Sequence, residues 1–408
     1  MKPAQKLPIS DSQLPTSDFR LPTSAAVPTA AYCLAFVSLG MFLACVGPTL
    51  LRLAEQTGTA AKGISYVFFA RALGYLLGSR AGGRLYDRVP GHPLISSALL
   101  MLGLLLALVP FAPCLALLLV TLFLAGFAGG TIDVGGNTML VWTHRKRIGP
   151  VMQTLHFFFG LGALVAPLVV AASLSLSGGI AWAYRTLAIL MLPPALLLRA
   201  VKSPAPLQVP ETETHRSRRL LVMLVALFFL LYVGAEVGFG GWISAYAVTL
   251  RLTSETRAAY LASVFWSAMT IGRLAAIPMA PRLKPRTILI GELVGCLLSI
   301  ALILAAPHCL GALWIGTIGF GLSMAAIFPT MLCLARERMT LTGRATGWFF
   351  VGASAGGMSL PWLIGQLFSR CGPRVTLWAI LVDLALAAAL LAVLLAHTHR
   401  RAAAPASV

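Results

Sequence analysis

The chain has 408 residues, of which 58% are hydrophobic and 11% are charged, and its formal net charge is +19. Soluble domains carry about 25% charged residues, so this composition excludes an ordinary soluble fold and indicates an all-α protein of the lipid bilayer. So many cations in a soluble protein would suggest a nucleic-acid partner, but here they cluster between apolar runs. Membrane topology explains them better, and we expect no nucleic-acid partner.

Twelve apolar runs are each long enough to cross about 30 Å of hydrocarbon as a helix. The predicted spans are 29–53, 61–82, 92–112, 114–141, 150–174, 180–200, 220–249, 257–280, 286–307, 310–335, 343–369 and 374–397. They divide the chain into a disordered cytoplasmic tail (1–27), an N-terminal six-helix bundle (28–200), a cytoplasmic linker (201–219), a C-terminal six-helix bundle (220–397) and a second cytoplasmic tail (398–408).

Loops rich in basic residues alternate along the chain with loops that hold few, so the rich loops fall on one side of the membrane. The rich clusters lie at 84–88, 144–147, 216–219, 282–286, 336–344 and 400–401. Lys and Arg resist translocation, so this side is cytoplasmic. We therefore expect both termini in the cytoplasm and the protein in the cell (inner) membrane.

The second half of the chain repeats the first. HFFFG at 156–160 recurs as WFFVG at 348–352, GSRAGGRLYDR at 78–88 falls opposite GRLAAIPMAPR at 272–282, and GFAGG at Gly126 matches GFGLS at Gly319. All three pairs share nearly the same offset, close to half the chain. This pattern predicts two pseudo-symmetric bundles related by an axis along the membrane normal, with a site at their interface.

The loop after the second span carries a recognisable motif. It reads GRLYDRVPGH from Gly83 to His92 and is similar to the G-x-L-x-D-R-x-G-R loop of the major facilitator superfamily, with Pro90 inserted and His92 in place of the usual Arg. The resemblance implies gating roles for Gly83, Asp87 and Arg88. Arg273, which follows Gly272 at the corresponding second-half position, is expected near the same gate.

Four further stretches resemble the fucose-permease-like branch, and more narrowly sodium-dependent glucose transporter 1 and the type 4 domain-containing proteins of the superfamily. They are TIDVGGNTML (131–140), LHFFFGLGALVAPL (155–168), YVGAEVGFGGWI (232–243) and GRATGWFFVGASAGGMSLPWLIGQLF (343–368). The resemblance implies a monosaccharide-type substrate that is cotransported with Na⁺ or H⁺.

Asp133 and Asn137, the chain's only Asn, lie one helical turn apart in the fourth span. They therefore share a helix face. Charged groups in hydrocarbon cost roughly 2.5–3.5 kcal/mol on insertion scales, so such residues tend to face a cavity or a partner. Asn137 suits a sugar hydroxyl, and Asp133 can bind a hydroxyl or hold a coupling cation. A hydrogen bond that only fixes helix packing is the alternative.

Gln153 and His156 share a face of the fifth span, and we expect them to contact substrate. His156 should lie at the depth of Asp133, where an Asp–His pair could relay a proton. A His satisfied by a backbone carbonyl is the alternative. The repeat places Trp348 at the equivalent position in the eleventh span, where an indole can stack on a sugar ring.

Glu236 lies among glycines in the seventh span and is a candidate ligand for the coupling ion. Trp242 is expected to cap the substrate cavity or to anchor the helix at the membrane interface. Arg71 and Arg273 are candidates to neutralise the acids. Glu236 could instead be a packing residue paired with an Arg or a Tyr.

The sequence holds no nucleotide-binding motif and no His/Cys cluster, so we predict no enzyme activity, no metal and no cofactor beyond a Na⁺ or H⁺ coupling ion. The leading hypothesis is a monomeric secondary active transporter of a small polar solute that works by alternating access. Two alternatives stay open: a proton-coupled exporter of drugs or metabolites, and a non-transporting membrane receptor or scaffold.

Overall fold

The computed structural model of the chain describes residues 23–144, 148–205, 219–279, 282–339 and 343–402. Within these ranges the regular structure is helical, with fifteen α-helices and one short 3₁₀ turn, Val109–Phe111. The α-helices are α1 (Thr23–Gln56), α2 (Ala61–Ile64), α3 (Tyr66–Tyr86), α4 (Gly91–Leu108), α5 (Leu115–His144), α6 (Ile148–Ser177), α7 (Ala181–Leu190), α8 (Leu192–Ala200), α9 (Arg219–Thr249), α10 (Glu255–Met279), α11 (Pro285–Ala305), α12 (Leu310–Met324), α13 (Ile327–Arg338), α14 (Gly343–Cys371) and α15 (Val375–Ala402).

These helices form the twelve predicted membrane-spanning units. The second, sixth and tenth units are each broken into two helices: α2 with α3, α7 with α8, and α12 with α13. The breaks fall at Ser65, at Met191 before Pro193 and Pro194, and at 325–326 before Pro329. Proline lacks an N–H and cannot continue the hydrogen-bond ladder, which explains the last two breaks.

The ends of the first and last helices differ from the prediction. α1 begins at Thr23, inside the segment 1–27 that we expected to be a disordered tail, because its first turns pack against the rest of the bundle. Ala25 and Thr29 are buried there, and Thr29 Oγ1 lies 2.7 Å from His144 Nε2 at the end of α5. α15 continues to Ala402, past the predicted boundary at 397. Residues 1–22, most of the linker (206–218) and residues 403–408 lie outside the described residues.

Ten of the twelve units are apolar and long enough to cross a membrane on length and composition alone. The other two are α2–α3 and α14, and these two pack against each other between the halves of the molecule. A helix that faces a protein interface need not be as apolar as one that faces lipid. Their polarity therefore follows from their place at the interface.

The sequence repeat is reproduced in the helix packing. In the first half α1 packs on α6, and a Cβ atom added to Gly162 would overlap the carbonyl of Val37. In the second half α9 packs on α14, and a Cβ atom added to Gly356 would overlap the carbonyl of Leu230. A close backbone-to-backbone crossing that depends on a glycine thus occurs in both bundles.

The two halves meet through α6 with α10, α3 with α14 and α1 with α9. We name the side on which α1 begins and α15 ends the termini face, and the opposite side the far face. The far face is closed by contacts between the halves. Arg52 Nε lies 2.7 Å from Glu255 Oε2, and Gln366 Nε2 donates to the Lys62 carbonyl and to Ser65 Oγ, each at 3.1 Å.

Toward the termini face several candidate side chains are exposed. Trp348 on α14 is 55% exposed, and Gln153 and His156 on α6 are also exposed. The His156 ring packs on Phe36 of α1, with 5.7 Å between ring centroids, and interacts electrostatically with Arg273 of α10. Because these two neighbours belong to opposite halves, the exposed edge of His156 faces the space between the halves.

Candidate functional site

Asp133 lies on α5 in a polar cluster inside the N-terminal bundle. Tyr75 Oη of α3 donates to Asp133 Oδ2 at 2.9 Å, and Asn137 Nδ2 donates to Asp133 Oδ1 at 3.0 Å. α3 can approach this closely because position 130 on α5 is a glycine, where a Cβ atom would overlap the Tyr75 carbonyl. Within the described residues no Lys or Arg forms an ion pair with Asp133. Its carboxylate therefore has neutral hydrogen-bond donors only.

Asn137 binds the aspartate through its amide nitrogen. Besides the bond to Oδ1, Nδ2 lies 2.9 Å from the backbone carbonyl of Asp133. These bonds leave Asn137 Oδ1 to accept from a substrate hydroxyl or to coordinate a cation. The predicted polar stripe is thus a hydrogen-bonded unit that can hold a small cation, a hydroxyl group or both.

Glu236 on α9 belongs to a second cluster, in the C-terminal bundle. Its carboxylate interacts with the Tyr232 hydroxyl one turn earlier and with the Arg273 guanidinium of α10. Arg273 also acts on His156 of α6 across the interface. The guanidinium of Arg273 is therefore within electrostatic reach of an acid, as a neutralising role requires, and its role at the gate remains a prediction.

The predicted pairing of Asp133 with His156 does not form. Asp133 binds groups on α3 and α5, whereas His156 faces Phe36 on α1 and Arg273 on α10. Similar depth in neighbouring helices was not enough, because the two side chains leave their helices in different directions. Gln153 and Trp348 are exposed toward the termini face, where their roles as substrate ligands remain predictions.

Trp242 is not brought together with the other candidates. It is fully buried, its Nε1 donates to the Pro361 carbonyl at 2.9 Å, and its ring packs against Phe68 of the first half and Phe368 of α14. In this conformation Trp242 seals the contact between the halves near the far face. Contact with substrate would require the far face to open.

The loop that resembles the superfamily motif lies at the termini face. Asp87 ends α3, and Asp87 and Arg88 are exposed, while Gly83 is partly buried. The substituted position, His92, is fully buried. Its Nε2 lies 2.6 Å from the Tyr32 hydroxyl and its Nδ1 lies 2.9 Å from the Val201 carbonyl. His92 thus joins the motif to α1 and to the segment after α8.

Sequence reasoning missed two residues that interact with the candidate acids, Tyr75 and Tyr232. Tyr232 lies one turn from Glu236, so helical spacing could have found it. Tyr75 acts across helices, and spacing along one helix carries no such signal. Glu292 on α11, which the sequence left ambiguous, accepts a 3.0 Å hydrogen bond from the backbone N–H of Ala326, at the break between α12 and α13.

The sequence matches the family described as Major Facilitator Superfamily over residues 32–359. It is 32% identical to sodium-dependent glucose transporter 1A of Mus musculus, over 82% of this chain and 88% of that protein. It is 33% identical to sodium-dependent glucose transporter 1 of Xenopus laevis, over 80% of this chain and 73% of that protein. It is 28% identical to major facilitator superfamily domain-containing protein 4A of Homo sapiens, over 85% of this chain and 87% of that protein.

Solved structures show the same fold at low sequence identity. A bacterial homolog of the human lysosomal transporter Spinster superposes with a TM-score of 0.73 at 13% identity, over 92% of this chain and 98% of that one. A D-xylose–proton symporter superposes with a TM-score of 0.72 at 13% identity, over 90% of this chain and 97% of that one. Because the family match covers most of the sequence and agrees with the repeated six-helix bundles, the chain belongs to the Major Facilitator Superfamily.

Proposed function

We propose that this protein is a secondary active transporter that moves a monosaccharide together with Na⁺ by alternating access between its two bundles. The substrate binds between the halves with Asp133, Asn137, Gln153, His156 and Trp348 as its ligands, and the cation binds at Asp133. The protein resides in the cell (inner) membrane with its termini face in the cytoplasm, since the Lys- and Arg-rich loops lie on that side. It works as a monomer.

The observation that carries the proposal is the charge balance of the two candidate acids. Glu236 has the guanidinium of Arg273 within electrostatic reach, whereas the described partners of Asp133 are the neutral groups of Tyr75 and Asn137. An isolated carboxylate away from water is unfavourable unless a positive charge compensates it. A bound cation at Asp133 supplies that charge, which favours Asp133 over Glu236 as the coupling site.

The ligand chemistry favours Na⁺ over H⁺. The carboxylate of Asp133 and the amide oxygen of Asn137 are hard oxygen ligands of the kind that alkali and alkaline-earth cations take in proteins. A proton relay between Asp133 and His156 has no support in the contacts, because the two residues lie in different clusters. The relatives named as sodium-dependent glucose transporters support both the cation and the sugar.

Uptake into proteoliposomes tests the proposal. We expect the purified protein to accumulate labelled D-glucose, or another hexose of a small panel, when an inward Na⁺ gradient is imposed, and not with K⁺ in its place. Asp133→Asn removes the uncompensated charge and should abolish the Na⁺ dependence. Asp383→Asn is the matched control, because Asp383 is also a buried acid but lies on α15, outside the proposed site.

The outcomes separate the parts of the proposal. Uptake that responds to a pH gradient and not to Na⁺ would reject the coupling ion. Absence of uptake for every hexose, by protein that is folded and reconstituted, would reject the sugar and return attention to an exporter or a receptor. Equal Na⁺ dependence in Asp133→Asn and wild type would show that the cation does not bind at Asp133.

A further inference from the structure

Arg71 on α3 is a buried cation for which the mechanism above has no use. Its side chain is only 5% exposed, in the middle of a membrane-spanning unit. Accepting the proposed function, we propose that Arg71 is a sugar-binding residue at the closed end of the cavity, where its guanidinium donates hydrogen bonds to substrate oxygen atoms.

The sequence made Arg71 a candidate to neutralise an acid, but Arg71 forms no ion pair with Asp133 in the described part of the chain. Nη1 donates to the backbone carbonyl of Leu43 at 2.8 Å, and the guanidinium lies 6.0 Å and 5.8 Å from the ring centroids of Phe42 and Phe68. The titratable side chains within electrostatic range of it are Tyr75, Tyr184 and Cys45, and none of them is a carboxylic acid. Within the described part of the chain, Arg71 therefore has no carboxylate partner.

The guanidinium also has unused hydrogen-bond donors. It carries five N–H groups, and its one hydrogen bond among the described residues runs from Nη1 to the Leu43 carbonyl. Its other nitrogens are not sealed in the packing, because none of them is among the buried unpaired atoms of the described residues. A nearly buried arginine with unpaired donors that keep some accessible surface can receive acceptors from outside the protein.

The position of Arg71 along α3 relates it to both the closed contact and Asp133. Phe68, Arg71 and Tyr75 are spaced i, i+3, i+7 and share one helix face. Phe68 packs on Trp242 of the opposite half, at the closed contact near the far face, with 6.1 Å between ring centroids. Tyr75 donates to Asp133. Along α3, Arg71 therefore lies between the closed contact and Asp133.

A sugar fits this environment. Hydroxyl and ring oxygens accept hydrogen bonds from a guanidinium without requiring a full counter-charge, and the rings of Phe42 and Phe68 hold the cation partly compensated while the cavity is empty. A purely structural arginine would be expected to use its remaining donors on carbonyls or carboxylates of the protein.

A cycle that pairs protein variants with monodeoxy analogues of D-glucose tests the inference. Binding of each sugar to purified protein in Na⁺ is measured by calorimetry for wild type and Arg71→Met. We expect one hydroxyl whose removal weakens binding to wild type by roughly tenfold to a hundredfold, as for a hydrogen bond to a charged group. In Arg71→Met the same removal should change affinity by less than about twofold, since that partner is already lost.

Arg185→Met is the matched control. Arg185 also lies over two aromatic rings, those of Phe111 and Trp182, at 5.7 Å and 5.2 Å, but these rings are largely exposed at the periphery of the protein. It should keep the wild-type pattern of deoxy-sugar affinities. If Arg71→Met is too unstable to purify, Arg71→Lys keeps the charge without the planar fork and should lose the same hydroxyl preference.

Failure of this inference is distinct from failure of the proposed function. If wild type binds no hexose, the proposed substrate is wrong. If wild type binds a hexose and folded Arg71 variants show the same deoxy-sugar pattern as wild type, the proposed function stands and Arg71 has only a structural role.

Discussion

The buried imidazole of His92 shows how one substitution alters a family motif. The Val201 carbonyl can only accept a hydrogen bond, so the proton of His92 lies on Nδ1 and Nε2 accepts from the Tyr32 hydroxyl. The backbone N–H of His92 donates to Ser203 Oγ at 2.9 Å. The neutral ring thus ties α4 to α1 and to the segment after α8.

His92→Phe should destabilise the protein. The variant keeps an aromatic ring but removes the partner of the Val201 carbonyl and leaves the Tyr32 hydroxyl only its 3.5 Å contact with Thr143 Oγ1. A polar group left unpaired in the interior costs about 1–3 kcal/mol of the free energy of unfolding. Thermal or denaturant unfolding of the purified protein measures the effect. His308→Phe is the control, because His308 is bonded only to Arg374 at an exposed site, and there we expect a change within about 0.5 kcal/mol. Equal stability of the two variants would contradict the role given to His92.

At the scale of the helices, close crossings set the positions of the site residues. α3 on α5 brings Tyr75 to Asp133, and α1 on α6 brings Phe36 to His156. Helices in lipid gain little from burying apolar side chains against each other, so small residues that allow backbones to approach are what hold such pairs together. Glycines at such crossings occur in both halves, as Gly162 and Gly356 show.

Gly162→Ala and Gly356→Ala should both destabilise the fold, since each added methyl group overlaps a backbone carbonyl that cannot move without its helix. Overpacking of this kind costs roughly 1–3 kcal/mol. Gly291→Ala on α11 is the matched control, because nothing lies within 4 Å of the added atom. There the better helix propensity of Ala should leave stability unchanged or raise it by up to about 1 kcal/mol. Unfolding of the three purified variants would refute the packing argument if all three behaved alike.

At the scale of the whole molecule, the halves are joined at the far face by few polar contacts. The ion pair between Arg52 and Glu255 is partly exposed, with 38% and 30% of the side chains accessible. An exposed ion pair is worth about 0.2–1 kcal/mol. The pair adds little to the free energy of folding. Because it forms only while the far face is closed, all of its free energy favours the far-face-closed conformation over the far-face-open one.

Glu255→Gln should therefore shift molecules toward the state that is open at the far face, by roughly fivefold at most. Ser65→Cys, at a fully buried far-face position, reports the shift through its rate of labelling with a membrane-impermeant maleimide, in a protein whose exposed far-face cysteines Cys114, Cys309 and Cys371 are replaced by Ser. Glu55→Gln is the control: Glu55 also contacts Arg52, at 3.4 Å, but lies on the same helix and cannot link the halves. Faster labelling in both Glu255→Gln and Glu55→Gln, or in neither, would show that the Arg52–Glu255 pair does not stabilise the far-face-closed conformation.

The sequence by itself determined the twelve spans, the repeat and most of the candidate residues, because hydrocarbon imposes a minimum length on each span and makes polar residues within it conspicuous. Asp133, Asn137 and Glu236 stood out for that reason. Only the tertiary structure decided their partners: Asp133 accepts from Tyr75 and does not bind His156, Glu236 has Tyr232 and Arg273 within electrostatic reach, and Trp242 is buried between the halves. Those relations depend on how helices cross and in which direction each side chain leaves its helix, and periodicity along one helix does not contain that information.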